Sequence, residues 1–419
     1  MRAKRVVILG GGFGGVAAAR ALKGTDAEVL IIDRRNHHIF QPLLYQVATA
    51  VLAPSEVAAP LRQLAQQQSN LSVLLGEVTD IELESRRVKV SSPGLPAATI
   101  AFDYLIVATR VRPTYFGHDE FAQFAPSLKT MADAEWIRAR ILSAYERAEH
   151  TEDEAARTRA LTFVLVGAGP TGVELAASIA QMAQITLRSN FRRIDPAETR
   201  ILLIEGAGRV LPTFCEALCA KVAVHLDRLG VEVRTGVVVE RVDATGVWVA
   251  GQRIESDTVL WTAGVQASPL IGQLGVKTDR AGRAIVGDLL DVPGHPNVFV
   301  IGDAAAVVRN ERPLPGVAQV AIQQGRFVGR MLAARLAGRP FTEDFRYRDR
   351  GNMAVVGKNF AILEHGKLRM SGALAWILWA AIHVMFLPMV QNRLRVQMQW
   401  LWSYVTGQRS SRLIPEPRH

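Results

Sequence analysis

Two short stretches have residue types and spacing suited to one kind of chemistry, the holding of a dinucleotide. The first, GGGFGG, sets Gly10, Gly12 and Gly15 in a GxGxxG pattern around Phe13 and Gly14. The second, GAGPTG, sets Gly167, Gly169 and Gly172 in the same pattern around Pro170 and Thr171. In each, the first glycine suits a tight turn, the second lets the backbone approach a pyrophosphate, and the third permits close packing of helix on strand. The phosphates would rest against the unpaired N–H groups of a helix N-terminus. An acid follows each motif, Asp33 in AEVLIID and Glu205 in RILLIE, where a carboxylate can accept hydrogen bonds from a ribose. At Glu205 the negative charge favours a free 2′-hydroxyl over a 2′-phosphate, so NADH is expected over NADPH, with Arg209 nearby acting against that preference. No nucleophile–base pair is needed for this chemistry, because hydride transfer belongs to the cofactors.

The elements that position these residues are legible as strand, turn and helix. RVVIL and LTFVLV are β-branched apolar runs, each entering its glycine turn and followed by an alanine-rich helical stretch. FDYLIVAT and DTVLWTAG are matching strand-plus-turn units, carrying Ala108 and Thr109 in one and Ala263 and Gly264 in the other. HPNVFVIGDAAAV supplies a further strand that ends on Gly302 and Asp303. The expected class is α/β, with two Rossmann-like dinucleotide-binding domains and a C-terminal helical extension that binds a membrane. In flavoproteins of this layout the aspartate after the late strand bonds the ribityl or phosphate part of FAD. FAD is therefore expected on residues 1–155 and 280–340, NADH on 156–279, and membrane attachment on 341–419.

At 419 residues the chain can bury a large core, and 49% hydrophobic with 21% charged residues is a globular composition. The net charge is +10, and from Arg346 onward 11 basic residues face 3 acidic ones, so 11 − 3 = +8 of it lies in the tail. No zinc-finger spacing or RNP-type aromatic motif accompanies that charge, which excludes nucleic acid as the expected partner. Cys215 and Cys219 are spaced CxxxC, unlike a dithiol redox motif, and read as reduced structural thiols. There is no sustained set of metal ligands. The apolar run Val6 to Leu9 is too short for a signal peptide. NHHIFQPLLYQVATA embeds His37, His38, Gln41 and Gln46 in apolar surroundings. It reads either as a buried connection or as the wall of a pocket for a flat, weakly polar ligand, and both histidines read as structural.

Residues 372–392 carry no formal charge and meet the length of a membrane span, with Pro388 near the end. The segment after them is amphipathic and basic, with Leu394, Met398, Leu401 and Val405 at helical spacing beside Arg393 and Arg395. Trp376, Trp379, Trp400 and Trp402 suit a membrane interface. This pattern reads as monotopic attachment to an anionic lipid surface, with one span still open and a dimer or core helix pair as the alternative.

Taken together, NHHIFQPLLYQVAT, LVGAGPTGVELA, TVLWTAGV, IGDAA, GVAQVAIQQGR and RYRDRGNMAVVG make the chain similar to the type II NADH dehydrogenases, single-subunit NADH:quinone oxidoreductases that do not pump protons. The resemblance runs from about Arg5 to Ile414. It implies non-covalent FAD, NADH as substrate, a membrane quinone as acceptor, and a place on the cytoplasmic face of the inner membrane, with a homodimer left open. It implies that the segment with Gln41 and Leu43 runs along FAD and borders the quinone passage. It sets Ala318, Gln319 and Gln323 beside the flavin, where the quinone head group docks. Glu174 matches the family's acidic residue between the two substrates, a member of a proton relay; by itself it also reads as a helix-start acid. Lys358 matches, more loosely, a lysine near the quinone. One departure stands out: the first ATG motif reads Ala108-Thr109-Arg110, with arginine in place of glycine. Arg110 then points outward, pairs with a phosphate, or weakens FAD binding. Other flavin reductases, of ferredoxin or disulfides, and a non-enzymatic NADH sensor are the alternatives.

Overall fold

The computed structural model describes residues 2–309 and 312–414. They form two compact units, each assembled from separated stretches. The first comprises Met1–His38, Ala59–Arg112 and Val265–Asp349, and the second Ile39–Ala58, Pro113–Gly264 and Arg350–His419.

The first unit is built on a six-stranded sheet in the order Asp291–Val292, His295–Val300, Tyr104–Val107, Arg5–Leu9, Glu28–Asp33, Leu71–Leu75. All neighbours are parallel except the edge strand Asp291–Val292. Val6, Val7 and Ile8 are all fully buried, which is why the strand is an unbroken apolar run rather than an alternating one. The register sets Leu9 opposite both Ile32 and Val107, and Val107 opposite Val300. The turns at Gly10, Asp33, Ala108 and Gly302 therefore leave the sheet at one carboxyl edge, where open α/β sheets bind ligands. Helix Phe13–Ala21 lies against helix Ala318–Leu336 with almost no side chain between them. A methyl group on Gly325 would overlap the carbonyl oxygen of Gly14, and one on Gly329 would crowd Ala18 and Ala21.

The second unit repeats the theme with a four-stranded parallel sheet, Val231–Thr235, Arg200–Glu205, Thr162–Val166, Thr258–Trp261. Val166 is opposite Ile204 and Trp261, so here too the glycine turn and the acid share one edge. The same unit holds an antiparallel sheet of Asn352–Val355, Ala361–His365 and Leu368–Gly372, followed by helices Ala373–Phe386 and Val390–Thr406. Asn392 pins the last helix by donating to the carbonyls of Ser55, Glu56 and Ala58.

Two expectations for this region change. The apolar stretch folds as a helix of 14 residues, about 21 Å long and short of the ~30 Å hydrocarbon core. Among the described residues no helix is long and apolar enough to cross a membrane. Of the four interface tryptophans only Trp402 is exposed; Trp379 is buried and stacks on Trp400, and Trp376 lies against Tyr404. Hydropathy and spacing could not tell which aromatic faces turn inward.

Candidate functional site

In the first unit, Gly10 adopts φ +107°, and a methyl group there would strike the Ala108 carbonyl. One on Gly15 would overlap the Gly10 carbonyl, whereas one on Gly12 would meet nothing. The open side of the turn is thus at Gly12, the N-cap of helix Phe13–Ala21, where no side chain caps the helix. A helix N-terminus without a side-chain cap, beside open space, suits a pyrophosphate. Asp33 braces this turn: its carboxylate accepts from the Gly11 N–H at 2.7 Å and the Arg35 N–H at 2.9 Å. The Thr109 hydroxyl is buried without a hydrogen-bond partner, as expected of a group that meets a bound molecule. Ala318 opens a second helix with no side-chain cap, with Gln319 next to it. Phe13 stands edge-on to His38, 4.9 Å between ring centres. The His38 ring nitrogen bonds the Gly11 carbonyl, and burial pushes its pKa down to about 4, so it is a neutral prop.

Arg110 does not point outward. It is half-buried, avoids positive φ, and feels the charges of Arg35, Asp33 and Asp303. Burial pushes its guanidinium down to about 10, which leaves it protonated near neutrality. Gln324, which pattern reading passed over, is fully buried and accepts from the Gly302 N–H at 2.6 Å, fixing the turn that carries Asp303. Its signal in the sequence is only its position on the buried face of the helix. Gln323 is differently occupied: its amide donates to the Arg348 carbonyl at 2.9 Å and accepts from the Arg348 N–H at 3.0 Å.

The second unit repeats the design of the first turn. Gly167 has φ +102°, a methyl group on Gly172 would overlap its carbonyl, and Gly169 faces open space at the uncapped start of Pro170–Gln181. Thr171 lies in the first turn of that helix. Glu205 accepts from the Ala168 N–H at 2.6 Å and the Ala207 N–H at 2.8 Å, as Asp33 does in the other unit. Ala263, in the turn after strand Thr258–Trp261, packs against Gly167, and Gly264 keeps the positive φ, +66°, that the first copy has lost at Arg110.

A cavity of about 130 Å³ in the second unit draws together residues far apart in the chain. Its wall includes Tyr45, Glu174, Ser178, Trp379, Trp400 and Arg409. Burial pushes the Glu174 carboxyl up to about 8; its protein partner is the Val355 N–H at a long 3.5 Å. Glu174 sits beyond the first turn of its helix, and the helix has no acid in that turn, so the helix-start reading fails. Gln46 donates to the Tyr45 hydroxyl at 2.9 Å and accepts from the Trp400 indole at 2.7 Å. Arg409 donates to the carbonyls of Thr49 and Ser178 at 2.8 and 2.9 Å. Lys358 stands at the rim, exposed, with its ammonium on the Tyr404 carbonyl at 2.8 Å and over the Tyr404 ring. Of the NHHIFQPLLYQVATA stretch, the Leu43 side chain is fully enclosed and Gln41 is partly exposed, while Tyr45 and Gln46 reach the cavity. The two cysteines are unpaired, and Cys219 donates to the Leu211 carbonyl.

Residues 4–325 match the pyridine nucleotide-disulphide oxidoreductase family. The chain is 42% identical to the type II NADH:quinone oxidoreductase Ndh of Mycobacterium tuberculosis, over 99% of this chain and 91% of that one. It is 41% identical to NdhA of the same organism, over 98% and 89%. The fold is similar to that of NDH2 of Plasmodium falciparum in complex with NADH, with a TM-score of 0.88 at 18% identity, covering 99% of this chain and all of that one.

Proposed function

Because the chain belongs to the pyridine nucleotide-disulphide oxidoreductases, and within them to the type II NADH:quinone oxidoreductases, we propose a division of labour among its residues. The enzyme oxidises NADH and reduces a quinone by two electrons without pumping protons. The first unit holds FAD: its pyrophosphate at Gly12, Phe13 and Gly14, a ribose at Asp33, and its remainder at Thr109, Gly302–Asp303 and Ala318–Gln319. The open space at Gly12 and the unpartnered Thr109 hydroxyl support this assignment. When bound, FAD would supply hydride acceptance and onward two-electron transfer. The second unit holds NADH at Gly167–Gly172, with Glu205 on the adenosine ribose and Ala263–Gly264 beneath the turn. Gln323 braces the segment that follows its helix through two bonds to the Arg348 backbone, and its remaining N–H and lone pair are the groups it would offer a quinone.

The quinone head group enters the cavity walled by Trp379 and Trp400, and Glu174 supplies a proton there. The observation that carries this reading is a carboxyl group kept protonated near neutrality on the wall of a largely apolar cavity. Membrane attachment is peripheral, on the cytoplasmic face of the inner membrane, through the exposed residues of the last helix. Leu394, Met398, Leu401 and Val405 are each 59–74% exposed along one stripe, a pattern suited to an anionic lipid surface. An anaerobic titration tests the assignment. NADH should bleach the flavin absorbance and a quinone should restore it; a chain that binds no flavin, or whose reduced flavin ignores quinone, refutes it.

A further inference from the structure

We propose that Arg409 binds the quinone oxygen on which negative charge builds during reduction. The inference rests on the reading that the cavity of the second unit receives the quinone. Arg409 is 5% exposed and lines that cavity. A guanidinium offers five N–H donors, and two of the Arg409 bonds go to neutral carbonyls, those of Thr49 and Ser178. Among the described residues no carboxylate pairs with it, although a buried cation is costly unless compensated. Neither Glu174, on the same cavity wall, nor the tyrosines that act on Arg409 supply a counter-charge. Burial keeps Glu174 protonated near neutrality and holds the phenols of Tyr45 and Tyr145 far above their usual range. The cavity therefore carries an uncompensated positive charge beside aromatic walls, which suits a flat ligand that becomes an anion.

The chemistry balances. A hydride equivalent, two electrons and one proton originating from NADH, adds to the quinone and leaves one oxygen as a quinolate. Arg409 donates hydrogen bonds to that oxygen, which strengthen as its charge develops. The quinolate takes the Glu174 proton, giving quinol, and the Glu174 carboxylate regains a proton from water.

The test uses two analogues in the full-length, flavin-loaded protein without NADH. One is a hydroxynaphthoquinone, ionised at neutral pH, and the other its uncharged methyl ether. Quenching of tryptophan fluorescence reports binding, since Trp376, Trp379 and Trp400 line the cavity. The parent protein should prefer the anion by roughly tenfold or more. Arg409→Gln should abolish the preference and Arg409→Lys should keep part of it. A bolt that merely held the chain end would leave the ratio of the two affinities unchanged. Equal binding of both analogues by the parent, or an unchanged ratio in Arg409→Gln, overturns the role of Arg409 alone. Failure of the parent to bind either analogue overturns the cavity assignment itself.

Discussion

The clearest single-residue consequence concerns Glu174. Its carboxyl is raised from the ordinary 4.5 to about 8 by burial, so the folded state holds its proton more tightly than the unfolded chain. Stability from this group is unaffected below about pH 4.5, falls as pH rises toward 8, and then levels off. Glu174→Gln, neutral at every pH, should melt with the parent near pH 4.5 and above it by a margin that grows to a few kcal/mol by about pH 8. Its quinone turnover should fall by roughly a hundredfold, and the decline of parental activity above pH 8 should vanish. Calorimetry and steady-state pH profiles read the two effects, and a parent profile flat through pH 8 would refute the donor role; Tyr45, Arg409 and Lys358 line the same cavity. Glu205 makes the second case. Glu205→Gln removes the charge opposing a 2′-phosphate, so NADPH should gain roughly tenfold relative to NADH. Both cofactors should weaken, because the carboxylate also grips the Ala168 and Ala207 amides. An unchanged NADPH/NADH ratio of kcat/KM would mean that Glu205 does not face the ribose. Those bracing bonds were not legible in the sequence, which identifies an acid at a strand end but not how its lone pairs are used.

At the scale of elements, the glycine turns were the most legible feature. Positive φ at Gly10 and Gly167 and the contacts at Gly15 and Gly172 depend on residue type alone, so their spacing predicts them. The pairing of helices Phe13–Ala21 and Ala318–Leu336 was not legible, because Gly14 and Gly325 are some 300 positions apart. Gly325→Ala should destabilise the protein by about 1–3 kcal/mol and lower its flavin content, measured by melting and by absorbance ratio. A variant with parental melting and full flavin would show that the two helices have room to separate. Arg110 marks a limit of reasoning by motif. Glycine there suggests positive φ, as Gly264 has, yet the first copy takes an ordinary φ and buries its guanidinium among the charges of Arg35, Asp33, Arg34 and Asp303.

For the whole molecule, the C-terminal region is structural as much as it is an attachment device. Cutting the chain after Lys367 would remove a strand paired to Ala361–His365 together with the buried Trp379, Asn392 and Arg409. Truncation should therefore unfold much of the second unit and abolish NADH oxidation by soluble acceptors too, so surface substitution is the better probe of membrane binding. Leu394→Glu combined with Met398→Glu alters two residues 59% and 69% exposed. It should leave melting unchanged and release the protein from anionic vesicles in a sedimentation assay, whereas high salt alone should not, because apolar burial outweighs about 1 kcal/mol per basic residue. Retention of the double variant on vesicles would exclude this stripe as the contact. The cavity was the least legible part of the protein, since its walls are tied by bonds such as Arg409 to Thr49, 360 positions apart. That separation also orders events in time. Arg409 follows Ser178 by 231 positions, so at about 5–20 residues per second a ribosome needs roughly 10–50 s between them. During that interval the residues of both glycine turns are already synthesised, while the cavity wall that Arg409 completes is still unmade.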